Sequence, residues 1–167
     1  MVSLLGVLVA LLHLRTAYAV GGLTIETTSG PVTGFINGTT PHVTQFLGIP
    51  YAEPPVGPRR WLPSVIKSRE KSIDATHFGP SCPQFEGNTS NVWRTDAPEF
   101  VIKPNTTGED CLSVNIWAPW KENGTEKLPV IVWIYGGAFV TGGGSIEYQI
   151  PSRWIERSQA HIVVGIK

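Results

Sequence analysis

The stretch PVIVWIYGGAFVTGGG, Pro129 to Gly144, is where chemistry is most concentrated. Val130, Ile131, Val132, Trp133, Ile134 and Tyr135 read as a buried strand, which breaks into Gly136, Gly137 and Ala138. Three more glycines follow at 142 to 144. Such a break offers bare backbone to whatever approaches the strand end, and three uses of bare backbone compete. A phosphate cradle would need G-x-G-x-x-G or a Lys-Ser/Thr in the Walker position, and neither is present. A tight turn would use the glycines for conformation alone. An oxyanion hole would aim rigid N–H groups at the negative charge that acyl transfer builds on a carbonyl oxygen, each such donor contributing roughly 3–4 kcal/mol. Such donors can come from a glycine-rich loop that follows a buried sheet strand.

An oxyanion hole needs a nucleophile beside it. No G-x-S-x-G occurs: Gly143-Gly144-Ser145-Ile146-Glu147 fails at its fifth position. Of the four histidines, His13 lies in the apolar leader, His42 and His77 are expected in loops, and His161 opens a strand. None has an evident serine partner, and each reads as structural.

The elements that must position the loop follow from hydrophobic periodicity. Leu23–Thr27 and Val32–Ile36 largely alternate around Ser29-Gly30-Pro31, a hairpin signal. Val43 to Ile49 is extended and runs into Pro50-Tyr51-Ala52-Glu53-Pro54-Pro55-Val56-Gly57-Pro58, where four prolines exclude a helix. Residues 63–110 read mostly as loop. Leu112–Trp117 alternates again. The strand at Val130 is apolar on both faces, which predicts cover on both sides, as in a mostly parallel sheet. Ile150–Ala160 holds a short helix with Ser152 as its cap and Trp154 and Ile155 facing inward. Ile162–Ile166 is a further strand. Strand, glycine loop, short helix, strand is the outline of a crossover in an α/β fold.

Bulk properties narrow the function classes. Acidic and basic residues balance at 13 each, so no net field draws the chain to nucleic acid or anionic lipid. Leu4–Leu14 followed by Ala17-Tyr18-Ala19 reads as a secretory signal, residues 1–19, too short to span a bilayer. Gly21-Gly22 suits an exposed new terminus. Cys82 and Cys111 are the only cysteines, compatible with one bridge in an oxidising compartment. Closing that loop would contribute roughly 3–4 kcal/mol on the chain-entropy model. Asn37, Asn88, Asn105 and Asn123 each begin an N-x-Ser/Thr acceptor pattern in a polar, turn-like segment. A secreted, extracellular glycoprotein is the expectation, and no residue set suggests a metal or cofactor.

Three motifs then carry a resemblance. WIYGGAF (Trp133–Phe139), EDCLSVNIWAP (Glu109–Pro119) and FLGIPYAEPPVGPRRW (Phe46–Trp61) together resemble the N-terminal third of type-B carboxylesterases and lipases. This family includes cholinesterases and secreted fungal lipases. The likeness covers nearly all of residues 23–167, in the family's order, and Ser113 departs from the usual aromatic or Thr. It implies the N-terminal portion of an α/β-hydrolase fold, incomplete here: a small antiparallel sheet leading into a mostly parallel central sheet. Residues 20–167 would be the front of a carboxylesterase type-B domain, truncated before the nucleophile elbow.

The resemblance also assigns roles. Gly137 and Ala138 would supply oxyanion N–H groups, with Gly136 shaping the turn. Ala138 stands where many relatives have a third glycine and lipase-like fungal members have Ala. Cys82–Cys111 would be the family's first disulfide, closing a loop over the gorge entrance. The family's Ser, acid and His lie downstream of this chain. The full protein is thus expected to hydrolyse small-molecule or lipid esters by Ser attack with His acid/base transfer, while this chain alone is inactive. The competing reading is a non-catalytic binding or adhesion module, since the family has members that lost the serine.

Overall fold

The computed structural model describes residues 23–85, 92–121 and 127–167. The signal segment 1–19, Gly21-Gly22, His13, Asn88 and Asn123 lie outside the described residues. Among the described residues no helix is long and apolar enough to cross a membrane.

Among the described residues seven strands form one mixed sheet. β1 (Leu23–Thr27) and β2 (Gly30–Asn37) form the expected hairpin, with Leu23 opposite Gly34 and Thr27 opposite Gly30. β3 (Thr40–Pro50) takes in the predicted extended run, β4 is the short Ile73–Asp74, and β5 is Ser113–Pro119. β6 is Val130–Ile134 and β7 is Ile162–Ile166. The order is β1-β2-β3-β5-β7-β6, with β4 added beside β2. Among the described residues between β4 and β5 lie a four-residue helix, α1 (Val92–Thr95), and a turn of 3₁₀ helix at Pro98–Phe100, joined by irregular chain.

Two expectations about this sheet need correction. Among the strands of the described residues parallel ladders are confined to β6–β7 and β2–β4; the other ladders are antiparallel, so this portion is not mostly parallel. The chain between β6 and β7 holds α2 and returns parallel, as a crossover connection requires. β6 is also not buried: its five residues are 38–73% exposed. It sits at the sheet margin, hydrogen-bonded to β7 along one side. Apolar sequence on both faces describes what a strand can bury, not what lies against it.

The side-chain alternation of β3 and β5 divides the core into two. On one face Val43, Leu47, Trp117 and Val163 pack with Ile155 of α2 (Ser152–Ser158). On the other, Val32, Phe46, Ile73 and Ala75 pack with Leu23, Ile49 and Ile116. That second face carries an apolar concavity of about 390 Å³ lined by Ile25, Phe46, Ile116, Ala118 and Leu128, away from the glycine loop.

α2 is shorter than the predicted segment, and only one of its two expected core residues faces inward. Ile155 is fully buried, whereas Trp154 is 52% exposed. Adjacent residues on a helix are about 100° apart, so one narrow contact with the sheet admits only one of them. Ser152 is not a cap either. Pro151 occupies the cap position, and the buried Ser152 hydroxyl lies 3.4 Å from Gln45 Oε1. The helix is instead held to β3 by Glu156, whose carboxylate accepts from the His42 amide at 3.0 Å and meets His42 Nδ1 at 2.7 Å.

Candidate functional site

The glycine loop starts where β6 stops pairing, beyond Ile134 opposite Ile166. Its backbone turns through a run of left-handed conformations: Gly137 at φ 132°, Ala138 at 53°, Phe139 at 62° and Gly142 at 130°. At Gly137 glycine is required, because a Cβ there would fall on the Thr141 carbonyl oxygen. The turn closes on itself through one acceptor. Gly137 O takes the amides of Val140 at 3.0 Å and Thr141 at 3.1 Å. Gly136, Gly137 and Ala138 are exposed, and among the described residues the amides of Gly137 and Ala138 donate to nothing. Donors fixed by a strained turn yet unspent are what an incoming anion or carbonyl oxygen can use.

Ala138 shows why alanine is tolerated beside a glycine that is not. At φ 53° it occupies the small left-handed region open to L-residues, at a cost of roughly 1–2 kcal/mol. Its donor belongs to the main chain and survives the methyl group.

The loop rests on residues from distant parts of the chain. Cys82 and Cys111 form a disulfide across 29 residues, with Cα atoms 5.1 Å apart. Two residues beyond Cys82, the Gln84 carboxamide reaches the loop. Its Oε1 accepts from Gly142 N and Thr141 Oγ1, both at 2.7 Å, and its Nε2 donates to Gly142 O at 2.7 Å. Beneath the following segment, the fully buried Asn115 accepts from Gly48 N at 2.8 Å and donates to Gly144 O at 3.1 Å. Neither amide was singled out from sequence. For Asn115 the available signal is that polar residues share one face of β5 with Trp117, the face that β5 buries, while Val114 and Ile116 face the less covered side. Polar residues on the more buried face of a strand mark a contact with loops, whose backbone groups need partners.

A polar layer continues from there. Lys167 Nζ donates to Gly79 O and, at 3.2 Å, to Pro80 O, and burial pushes its pKa down to about 8. Tyr51 donates to Lys167 O at 2.6 Å, and burial, with Tyr135 nearby, raises its pKa. Among the described residues the buried Ser81 and Ser113 hydroxyls have no hydrogen-bond partner. Arg60 and Glu109 form an ion pair that links the proline-rich segment to the start of the β5 motif.

The histidines do not assemble a catalytic set at this loop. His42 lies within β3, not in a loop, and its ring is taken by Glu156. His77 contacts Thr76 Oγ1 at 2.7 Å. His161 does have a serine neighbour, which the sequence reading missed: Ser158 Oγ is 3.2 Å from its Nδ1, although its Nε2 is buried and unpaired. That pair cannot serve the glycine loop. His161 precedes Ile162, which lies opposite Val130 at the start of the parallel pair, whereas the loop follows its far end. Five residues at about 3.3 Å each separate the two ends by roughly 16 Å.

Of the remaining sequence-derived positions, Asn37 and Asn105 are exposed. Asn37 Oδ1 accepts from the Thr39 amide at 3.0 Å and from its hydroxyl at 3.1 Å. No group of three or more His, Cys, Asp or Glu that could hold a metal ion occurs among the described residues.

Comparison with known proteins places this geometry in a family. Residues 22–167 match the model of the carboxylesterase family. The chain is similar to a chlorogenic acid esterase of Aspergillus niger, 43% identical over 86% of this chain and 28% of that protein. It is 35% identical to secreted lipase 5 of Gibberella zeae over 87% of this chain and 30% of the lipase. Against an acetylcholinesterase of Bungarus fasciatus it is 36% identical over 87% of this chain and 24% of the relative. The chain thus spans less than a third of the length of each of these proteins. With its glycine loop, disulfide and partial mixed sheet, it belongs to the carboxylesterase family.

Proposed function

We propose that the full-length product is a secreted carboxylic ester hydrolase in which the Gly137 and Ala138 amides form part of the oxyanion hole. In this reading a substrate carbonyl oxygen enters at the carboxyl end of β6 and accepts from both. As the tetrahedral intermediate forms, the oxygen gains charge and both hydrogen bonds strengthen, which lowers the barrier rather than merely holding the ester. Gly136 shapes the approach. Attack and proton transfer belong to a Ser-His-acid set outside this chain, so residues 20–167 alone stabilise charge but make no bond.

One observation carries the reading: two exposed amides, adjacent in sequence and unspent, are held by positive-φ backbone in a turn that closes on its own carbonyl. A loop whose glycines served conformation alone would have no reason to leave those donors open. Similarity to an enzyme named chlorogenic acid esterase makes that ester the first to assay, beside a short p-nitrophenyl ester.

The test compares the secreted full-length product with residues 20–167 expressed alone. The former should release p-nitrophenol with saturation kinetics and be blocked by a phosphonate that labels serine. The shorter chain should match a denatured control. Turnover by the short chain would overturn the division of labour, and a full-length product inert toward every ester would favour a binding module.

A further inference from the structure

We propose that Gln84 is a positioning residue for the reaction: its side-chain amide sets the aim of the Gly137–Ala138 donors, using the Cys82–Cys111 disulfide as its anchor. This rests on the esterase reading above.

A glutamine carboxamide has two acceptor sites and two donors, and here all four are used. Oε1 takes Gly142 N and Thr141 Oγ1, while Nε2 gives to Gly142 O and, at 3.1 Å, to Cys82 O. The pairing leaves no freedom to flip, since reversing the amide would set donor against donor at Gly142 N. Gln84 therefore clamps both main-chain groups of Gly142, 58 residues away. From there the route to the donors is short. The Thr141 amide bonds Gly137 O at 3.1 Å, and Gly137 and Ala138 carry the two unspent amides. A turn with four left-handed residues has little tendency to hold its own shape. The rest of the clamp is covalent. Gln84 is two residues from a disulfide that closes on Cys111, two residues before β5, so the sheet itself bears the bracket. A misplacement of about 1 Å at such donors costs on the order of 100-fold in rate.

The test uses the full-length product and four variants, read by kcat and KM, by binding of a trifluoromethyl ketone, and by deuterium exchange of a peptide spanning residues 136–144. Gln84→Met keeps the length and removes all four bonds. We expect kcat to fall about 10–100-fold with KM within about threefold, because the donors act mainly in the transition state. Ketone affinity should fall in parallel, and the 136–144 peptide should exchange faster, with the melting transition still cooperative. Gln84→Glu supplies the readout that packing alone would not give. Ionised, it keeps the two accepting bonds but opposes Gly142 O and Cys82 O. Protonated, it regains a donor, so its kcat relative to wild type should rise as pH falls, while Gln84→Met shows no such recovery. Cys82→Ser/Cys111→Ser should reproduce the exchange change, and adding Gln84→Met to it should cost little more.

A cooperatively folded Gln84→Met protein with unchanged kcat overturns the proposal, even if exchange accelerates. Should the wild type hydrolyse no ester, the esterase reading fails on its own. The bracket is then judged by exchange at 136–144, which must accelerate in Gln84→Met or the clamp is refuted as well.

Discussion

Replacing Gly137 by alanine is the smallest change that separates a donor loop from an ordinary turn. At φ 132° an L-residue is strained by about 1–3 kcal/mol. The added methyl would also occupy the space of the Thr141 carbonyl. The loop must therefore open, which stretches the bonds from Val140 and Thr141 to Gly137 O, each contributing about 0.5–1.5 kcal/mol. Because the turn is exposed, much of that loss is recovered by water, and the fold should survive. The chemistry should not. Losing one aligned donor costs roughly 3–4 kcal/mol in the barrier, or about 10²–10³ in kcat. Ala138→Gly is the counterpart. It keeps the amide and relieves the left-handed methyl, so kcat should stay within about tenfold and stability should rise by roughly 1 kcal/mol. Both variants of the full-length product would be assayed by steady-state hydrolysis of a p-nitrophenyl ester beside thermal melting. A folded Gly137→Ala enzyme with kcat within about threefold of wild type would refute the reasoning, since no donor of that worth could have stood there.

Two other perturbations probe the scaffold. Ile155→Ala should destabilise by about 2–5 kcal/mol, because the fully buried side chain joins Val43, Leu47, Trp117 and Val163. Trp154→Ala, one residue away and half exposed, should change stability by about 1 kcal/mol or less in the same urea titration. Lys167 predicts a pH dependence. Its folded pKa of about 8 lies below the 10.5 of the unfolded chain, so from pH 8 to 10 the unfolded state holds the extra proton. Stability should therefore rise across that window, and Lys167→Met should flatten the rise. Above pH 10 the raised pKa of Tyr51 acts in the opposite direction, since the folded state then keeps a proton that the unfolded state loses. Urea midpoints measured at half-unit intervals would show the rise or its absence.

Some of this structure was readable in the residues. The β1–β2 hairpin follows from period-two alternation around Ser29-Gly30-Pro31, because a strand with one covered face writes its own pattern. The glycine loop was readable for the opposite reason: a segment with so few side chains must use its backbone. The exposure of β6 was not readable, since Val130–Ile134 would look the same in the middle of a sheet as at its margin. Trp154 and Ile155 are both apolar, and only the narrow contact of α2 with the sheet chooses between them. Gln84 left no trace, because a polar residue in an irregular loop has no period, and its partners in the glycine loop are 57 and 58 residues away. The burial of Asn115 comes from loops, at Gly48 and Gly144, that the alternation of its own strand does not reveal.

The lateral attachment of β6 has a consequence for accuracy. Among the described residues the strand is paired along one side, to β7, and the two open amides follow its end. Sliding it by one residue along β7 would carry them about 3.3 Å, farther than the tolerance of any hydrogen bond. The alignment of a backbone ladder, five residues long, therefore also sets where the two open amides point, and on the proposed reading an error in strand pairing would misplace the oxyanion donors before it unfolded the sheet.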